Sequence, residues 1–205
     1  MALVKYNNNS LSSVTSAAGF PAGAMTLIKT LTASSSANLS FVHGTSSVVL
    51  DSTYKEYVFK FIDIHPATNS AGFRFNLSVD TGGNYNVTKT TTVIQSYQDE
   101  SGSTTALQYD TGMDLAQSTN PQFIAENIGN GNDESVSGFL HLFNPADTNF
   151  VKHFLISSAS YFQGDYTNNY YVGGYGNTTS AVDGVQFSMN SGNIDSGTIK
   201  LYGIK

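Results

Sequence analysis

The side chains of this chain best suited to metal binding or proton transfer are four histidines: His43, His65, His141 and His153. His141 and His153 lie on either side of Asn144-Pro145, a sequence typical of a turn, so paired strands would bring these two histidines close together. A metal site needs at least a third ligand, and neither an HxH nor an HxxxH spacing occurs. We therefore expect partly buried histidines that form hydrogen bonds within a sheet, with a metal site as the alternative.

Carboxylate and amide oxygens are concentrated in two short stretches, Asp80–Asn84 (DTGGN) and Asn130–Glu134 (NGNDE). Calcium loops use such residues, but the EF-hand pattern that ends in a bidentate glutamate is absent. Turn formation also explains both stretches, because Asp, Asn and Gly favour tight turns. We interpret them as turns, the first of them a hairpin turn, and keep calcium binding as the alternative.

Sequence motifs of catalysis are missing from the chain. No nucleophile elbow, serine–histidine–acid order or phosphate loop can be assembled. The glycine-rich run Gly173–Gly176 stands between strands, without the helix that a phosphate site needs. The acidic pairs Asp99-Glu100 and Asp133-Glu134 fall in loops rather than facing each other across a groove, as glycoside hydrolysis requires. We therefore expect neither an enzyme nor a cofactor.

The strongest candidate contact group is a set of tyrosines in a Gly- and Asn-rich stretch that we interpret as a loop: Tyr161, Tyr166, Tyr170, Tyr171 and Tyr175. Tyrosines on such a loop provide rigid surface with an apolar ring and a polar hydroxyl, which suits a protein partner or the face of a sugar. The alternative is that two or three of them cap one end of the fold. Between the two ligands, the sequence favours a protein partner.

The elements that must position these residues are organised around a central strand pair, Tyr54–Ile64 and Gly72–Asp80. In the second strand, polar residues alternate with Phe73, Phe75, Leu77 and Val79, so these four share one face. The first strand is apolar on both faces, with Tyr57, Phe59 and Phe61 on one and Val58, Ile62 and Ile64 on the other. Such a strand is expected inside a sheet and covered on both sides.

The remaining chain predicts further strands separated by turns. Apolar or β-branched runs occur at Met25–Thr32, Leu39–Phe41, Thr91–Tyr97, Ser135–Phe143, Phe150–Ile156, Ala181–Met189 and Thr198–Ile204. Residues 99–134 are the least regular, and Met113–Gln117 is interpreted as one helical turn. We count eight to ten strands and no long helix. The pattern predicts an all-β fold, an antiparallel β-sandwich of the jelly-roll type, that forms a single domain over residues 24–205.

The composition excludes several partners. The 205 residues include no cysteine, 12% charged residues and a net charge of −6, with a pI of about 4.9. An acidic chain without a basic run is poorly suited to binding a nucleic-acid backbone. We find neither a signal-peptide pattern nor an apolar run of membrane-spanning length, so we expect synthesis in a cytoplasm and no membrane insertion.

Residues 1–23 differ from the rest and are interpreted as an N-terminal arm, with one short helix opening at Leu11–Val14. The large apolar side chains of this segment stabilise by about 1.5–3 kcal/mol each when buried. Ordering its roughly twenty residues costs about 1–2 kcal/mol each, so the isolated domain does not gain by ordering them. The segment is either a frayed terminus or an attachment arm that orders against a neighbouring subunit.

Three stretches carry a resemblance to a known group: Asp51–Phe59 (DSTYKEYVF), Gly138–Pro145 (GFLHLFNP) and Ser191–Ile204 (SGNIDSGTIKLYGI). Together they resemble the virion structural proteins of tailed bacteriophages, especially those of marine bacteria and cyanobacteria. The resemblance spans roughly residues 24–204, and its most specific part is Gly197–Ile204. It implies a jelly-roll-like component of a tail, fibre or head decoration. No catalytic residue carries over, because the group's motifs are strand and turn residues.

Two functions follow as expectations. The first is a non-enzymatic subunit located in the virion, where it contacts other copies of itself, as a trimer or ring, and other virion proteins. The alternative is a carbohydrate-binding module that recognises a host surface glycan, by analogy with other jelly rolls that bind sugars through exposed aromatic residues. Two coplanar tyrosines from residues 161–175, open to solvent, would favour the alternative.

Overall fold

A computed structural model of the protein describes residues 24–205, which form twelve strands and no helix. The predicted arm and its short helix lie outside the described residues. Within this part of the chain there is no helix long and apolar enough to cross a membrane. The strands are β1 (Met25–Thr32), β2 (Asn38–Val42), β3 (Glu56–Pro66), β4 (Ala71–Ser78), β5 (Lys89–Asp99), β6 (Thr105–Tyr109), β7 (Gln122–Ile128), β8 (Val136–Phe143), β9 (Lys152–Phe162), β10 (Tyr166–Gly176), β11 (Gly184–Met189) and β12 (Ile194–Ile204).

Eight of these strands form a jelly roll. The antiparallel pairs β1·β12, β2·β11, β3·β8 and β4·β7 are those of one long hairpin rolled onto itself. Pairing of β12 with β3 and of β11 with β4 completes two sheets, in the orders β1-β12-β3-β8 and β2-β11-β4-β7. The structure therefore confirms the predicted all-β antiparallel fold of the jelly-roll type.

The other four strands are two insertions that extend the first sheet. The strands β5 and β6 follow β4, and β9 and β10 follow β8, yet in space they continue that sheet in the order β8-β9-β10-β5-β6. A single pairing of Ile128 on β7 with Phe162 on β9 links the extended sheet to the second sheet. This link nearly closes the fold into a barrel-like shape, and we call β9, β10, β5 and β6 the extension.

The period-two pattern correctly predicts which residues of β3 and β4 face the core. Tyr57, Phe59 and Phe61 on β3 are buried, as are Phe73 and Phe75 on β4. The pattern fails at the strand ends. A bulge in β3, where Asp63 has φ 51°, turns Ile64 to the buried face. Leu77 is buried as predicted, whereas Val79 lies beyond the end of β4 and is exposed.

The prediction that β3 and β4 pair is wrong, because they lie in opposite sheets and face each other across the core. The rings of Phe61 and Phe73 meet edge to face with centroids 5.4 Å apart. The connection between the strands is held by the turn before β12 rather than by a hairpin. The Ala67 N–H donates to the Asn193 carbonyl at 3.0 Å, and the Gly72 N–H donates to Asn190 Oδ1 at 2.8 Å.

The outer face of β3 is also less covered than predicted. Val58 is buried beneath its cross-strand neighbours, but Ile62 is 39% exposed and Lys60 is exposed. Where β3 bulges, the paired strand β12 accommodates it with Gly197, whose φ is +113°. A Cβ at Gly197 would lie 2.5 Å from the Asp63 carbonyl oxygen, so the close approach of the two strands requires glycine here.

Residues 99–134 hold two strands that the sequence pattern did not reveal, and the total is twelve rather than eight to ten. The strand β6 is short and mostly exposed, and the pairing of β7 with β4 shifts register, so neither alternates cleanly. The helical turn predicted at Met113–Gln117 is wrong. Met113 is part of a non-helical turn and buries its side chain in the core.

The core is a cluster of phenylalanines centred on Phe187 of β11. Its ring lies 5.5–6.4 Å, between centroids, from five other rings. Two of these come from β3 in the opposite sheet, so Phe187 connects the two layers. The five rings are Phe41, Phe59, Phe61, Phe73 and Phe75.

We expect Phe187→Ala to lower the free energy of unfolding by about 3–5 kcal/mol, because it leaves a cavity where the two sheets meet. The matched control is Phe150→Ala, since Phe150 is 71% exposed, and this variant should change stability by less than about 0.5 kcal/mol. Urea denaturation of both variants measures the difference. Equal costs for the two variants would contradict the central role of Phe187.

Candidate functional site

The stretch from Tyr161 to Tyr175 is not a loop, as the sequence suggested, but the hairpin of β9 and β10. Only Gln163–Asp165 form its turn. The glycines and asparagines of β10 are accommodated because the strand pairs along its whole length with both β5 and β9. A Cβ at Gly174 would lie 2.5 Å from Thr91 Cγ2 and 2.7 Å from the Thr90 carbonyl, so the tight packing selects glycine there.

The strand periodicity divides the five tyrosines between the two faces of the extension. Tyr166 and Tyr170 face inward, and Tyr161, Tyr171 and Tyr175 face outward. They therefore do not converge on one contact surface. No two of the five form an exposed coplanar pair in the described structure, so this arrangement does not supply the sugar platform considered above.

Each outward tyrosine has a distinct environment. The Tyr161 hydroxyl donates to Glu100 Oε1 at 2.8 Å, and this carboxylate raises the pKa of Tyr161. Tyr175 packs against the ring of His153 with centroids 6.1 Å apart. Tyr171 is 57% exposed, which makes it the tyrosine of the five that is most available for contact.

Tyr171 belongs to a larger apolar surface on the outer face of the extended sheet. One cross-strand row contains Tyr109, Ile94, Tyr171, Ser157 and Phe139 in that order. We define the outer patch by six large apolar side chains on or beside this row, which are between 39% and 76% exposed: Ile94, Leu107, Tyr109, Phe139, Leu155 and Tyr171.

Four side chains of the outer patch line a shallow depression of about 610 Å³: Ile94, Phe139, Leu155 and Tyr171. Gly173 lies at its floor, where the absence of a side chain leaves space between Thr92 and Leu155. The ionisable residues that line the depression are His141 and Tyr171. The arrangement is suited to burial of an apolar surface.

The edge of the extended sheet next to the outer patch is unprotected. In the described structure β6 pairs only with β5, so one side of its backbone is free for further pairing. Its sequence, TALQY, contains no charged residue and no proline. Natural edge strands usually carry such residues to prevent pairing with another chain.

Three of the four histidines form hydrogen bonds within the fold, as predicted. His43 Nδ1 accepts from the Leu50 N–H at 3.1 Å, and His65 Nε2 lies 3.0 Å from the Gly131 carbonyl oxygen. His141 contacts the Glu56 carboxylate. The ring of His141 also lies between Phe139 and Phe143, with centroids 5.1 Å and 6.2 Å away.

His153 is exposed, contrary to the expectation of partial burial. His141 pairs with Leu155 across β8 and β9, which places His141 and His153 on the same outer face but not opposite each other. Within residues 24–205, no group of three or more His, Asp and Glu side chains is placed to hold a metal ion.

The two acidic stretches are turns stabilised by their own side chains. The Asp80 carboxylate accepts hydrogen bonds from the Asn84 backbone N–H, the Asn84 side-chain amide and the Ser78 hydroxyl at 2.7–2.8 Å, and these bonds lower the pKa of Asp80. Glu134 accepts from the Gly131 N–H. The first turn does not close a hairpin, however, because β4 and β5 do not pair.

A feature that sequence reasoning missed is a pair of lysines buried inside the fold, Lys89 and Lys152. Both face inward on either side of Gly176, in one cross-strand row of the extension. Lys89 Nζ donates to Asn76 Oδ1 and to the Val87 carbonyl, and its burial lowers its pKa to about 7. The one signal of this inward position in the sequence is the strand periodicity, which places Lys89 on the same face of β5 as Thr91 and Val93.

The amino groups of the buried lysines form hydrogen bonds within the fold. Lys152 Nζ donates to the carbonyls of Phe150 and Thr178 at 2.6 and 3.2 Å. These bonds join Lys89 to β4 and to the segment before β5, and they join Lys152 to the segments before β9 and after β10.

Comparisons of the chain with protein-family models, with curated proteins and with solved structures found no match.

We expect stability to rise with pH above neutrality because of Lys89. Between its folded pKa of about 7 and the ordinary lysine value of 10.5, the unfolded chain binds more protons than the folded one. The free energy of unfolding should therefore increase with pH, relative to the variant Lys89→Met, by at most about 1.4 kcal/mol per pH unit.

Urea denaturation from pH 7.5 to 9.5 measures this difference, and both limits lie inside the pKa window of about 7 to 10.5. The control Lys60→Met makes the same chemical change on the exposed face of β3. Parallel pH profiles for the wild type and Lys89→Met would show that Lys89 remains protonated in the folded protein.

Proposed function

We propose that the chain is a non-enzymatic structural subunit of a bacteriophage virion, placed in a tail, fibre or capsid decoration. In this proposal it acts by contact with other copies of itself and with other virion proteins. The observation that carries the proposal is the combination of the exposed outer patch with the uncharged free edge of β6. A jelly roll is a common architecture of viral coat subunits, which supports the proposal by analogy.

The outer patch supports association because soluble monomers rarely expose a large contiguous apolar surface. None of its six side chains carries a charge, and the Ile94, Tyr171 and Phe139 side chains share one row. Covering this surface removes apolar area from water, which stabilises an assembly by about 25 cal/mol per Å² of buried apolar area. A protein partner fits this surface better than a charged ligand does.

The free edges favour a second copy of this chain as the partner. The strands β6 and β1 are the two ends of the same eight-stranded sheet, and each pairs on one side only in the described structure. Head-to-tail pairing of β6 with β1 of the next copy would use both edges. Such a contact is heterologous, and it closes into a trimer or larger ring when the rotation per copy allows closure.

The resemblance to phage virion proteins supports the same proposal from the sequence. Its three stretches contribute β3, β8 and β12, which are neighbours in the first sheet. The resemblance therefore concerns the centre of the scaffold, whereas the outer patch lies mostly on the extension. This division is expected if virion subunits share one scaffold but differ in the surfaces by which they attach.

The virion assignment is tested by mass spectrometry of purified particles from the phage that encodes this chain. We expect the protein in intact particles at a copy number that is a multiple of the symmetry of its location. Presence in infected cells together with absence from intact particles would overturn the proposal.

The contact surface is tested by Leu107→Asp, which places a charge on the outer patch next to the free edge of β6. Leu107 is 76% exposed, so the variant should fold normally. Burying an unpaired carboxylate in an interface costs several kcal/mol, and we expect an assembly that dissociates at least about tenfold more readily. Light scattering after size-exclusion chromatography measures the mass.

The matched control is Phe150→Asp, because Phe150 is nearly as exposed but lies on the segment between β8 and β9. This control should keep the mass of the wild type. A wild-type monomer at high concentration, or an unchanged mass for Leu107→Asp, would contradict assembly through the outer patch.

A further inference from the structure

A small pocket opens on the inner face of the extension, at the end near the β9–β10 turn. Its volume is about 240 Å³, below the roughly 300–1,000 Å³ of pockets for drug-sized ligands. Its lining consists of aromatic, amide and hydroxyl side chains: Gln95, Tyr97, Thr104, Phe162, Tyr166 and Asn168. None of these residues carries a charge.

One wall of the pocket is a cluster of three aromatic rings. The ring of Tyr166 packs edge to face against Tyr97 and Phe162, with centroid distances of 5.9 and 5.7 Å. These contacts fix the orientation of Tyr166, which is held on β10 between β5 and β9. An apolar ring face at a pocket wall can pack against the C–H groups of a sugar.

The polar side of the pocket is oriented by the buried Tyr170 hydroxyl. It accepts from Gln95 Nε2 and from Asn168 Nδ2, each at 3.2 Å. Gln108 Nε2 donates in turn to Gln95 Oε1 at 2.9 Å. Because the Asn168 amide nitrogen is directed to Tyr170, its oxygen is left as an acceptor without a partner among the described residues.

Next to Asn168, but outside the pocket lining, a second polar group lacks a partner. Ser160 pairs with Asn168 across β9 and β10, and its hydroxyl is buried without any hydrogen bond in the described structure. Ser160 is only 5% exposed. An unsatisfied buried hydroxyl costs about 1–3 kcal/mol. Because Ser160 does not line the pocket, its hydroxyl is not a contact for a bound ligand.

We propose that this pocket binds one neutral sugar ring, such as the terminal residue of a glycan. Aromatic walls match the apolar face of a pyranose, and the amide and hydroxyl groups match its hydroxyl groups. A charged sugar is disfavoured, because the pocket offers no group of opposite charge. The volume limits the bound part to about one ring.

The site is independent of the proposed assembly surface. Tyr166 and Asn168 face inward, whereas the outer patch lies on the opposite face of the same strands. It also differs from the tyrosine platform considered from the sequence, because of those five residues only Tyr166 lines it and Tyr170 supports it.

Amide NMR titration tests the site with four neutral probes: glucose, galactose, mannose and N-acetylglucosamine. We expect at least one of them to bind with a dissociation constant of about 1–10 mM and to shift signals of the pocket residues. Tyr166→Ala should weaken binding by about tenfold or more, because it removes the wall. Tyr166→Phe keeps the ring and should retain most of the affinity.

The matched control is Tyr171→Ala, on the same strand but on the outer face, and it should leave sugar binding unchanged. Thr104→Val, at an exposed position of the pocket rim, tests the hydroxyl contribution without a risk to folding. Absence of binding by all four probes, or loss of binding in Tyr171→Ala but not in Tyr166→Ala, would overturn the proposal. Light scattering of Tyr166→Ala separates the two proposals, since its assembly should match that of the wild type.

Discussion

The packing of phenylalanine rings around Phe187 is the interaction on which the rest of the structure depends. Rings from β2, β4 and β11 in one sheet meet rings from β3 in the other, and every member is almost completely buried. Because side chains alternate along a strand, fixing these residues inward also fixes which residues face outward. A shift of one residue in β4 would turn Phe73 and Phe75 away from the aromatic core and turn Arg74 into it. The aromatic core thus determines the register of the jelly roll, and the register determines the surfaces.

The extension follows the same rule without an aromatic core of its own. Its inner face is polar near the β9–β10 turn, apolar in the middle and closed by Lys89 and Lys152 at the other end. Its outer face carries the outer patch. Two adjacent glycines of β10 face opposite sides of the sheet and differ in their surroundings. On the inner side, a Cβ at Gly174 would clash with its neighbours. On the outer side, a Cβ at Gly173 would make only ordinary contacts of 3.6–3.7 Å, so the glycine leaves a hollow there. Residues of β10 line both candidate sites: Tyr166 and Asn168 line the pocket, and Tyr171 and Gly173 line the depression of the outer patch.

Period-two patterns in the sequence predicted strand positions and inward faces, but not strand partners. The bounds of β1 and the inward residues of β3 were correct, because local alternation determines both. The pairing of β3 and β4 was wrong, because partners depend on long-range packing that a linear pattern does not encode. The loop prediction for Tyr161–Tyr175 failed for a related reason, since pairing on both sides of β10 outweighs the weak strand preference of Gly and Asn. The site residues Gln95 and Thr104 had no signal, because the pocket forms only when β5, β9 and β10 pair.

The low charge of the chain bears on the assembly that we propose for it. In the described residues, both ion pairs involve a histidine, His65 with Asp195 and His141 with Glu56. The two buried lysines are satisfied by backbone carbonyls and one amide instead. Charge complementarity therefore contributes little to the choice of partner at the uncharged β6 edge. In the proposed assembly, backbone hydrogen bonds along this edge and apolar burial on the outer patch would supply both affinity and register, and both are only weakly sensitive to salt screening. In that assembly, the strand register, which the aromatic core sets, would also determine how copies align.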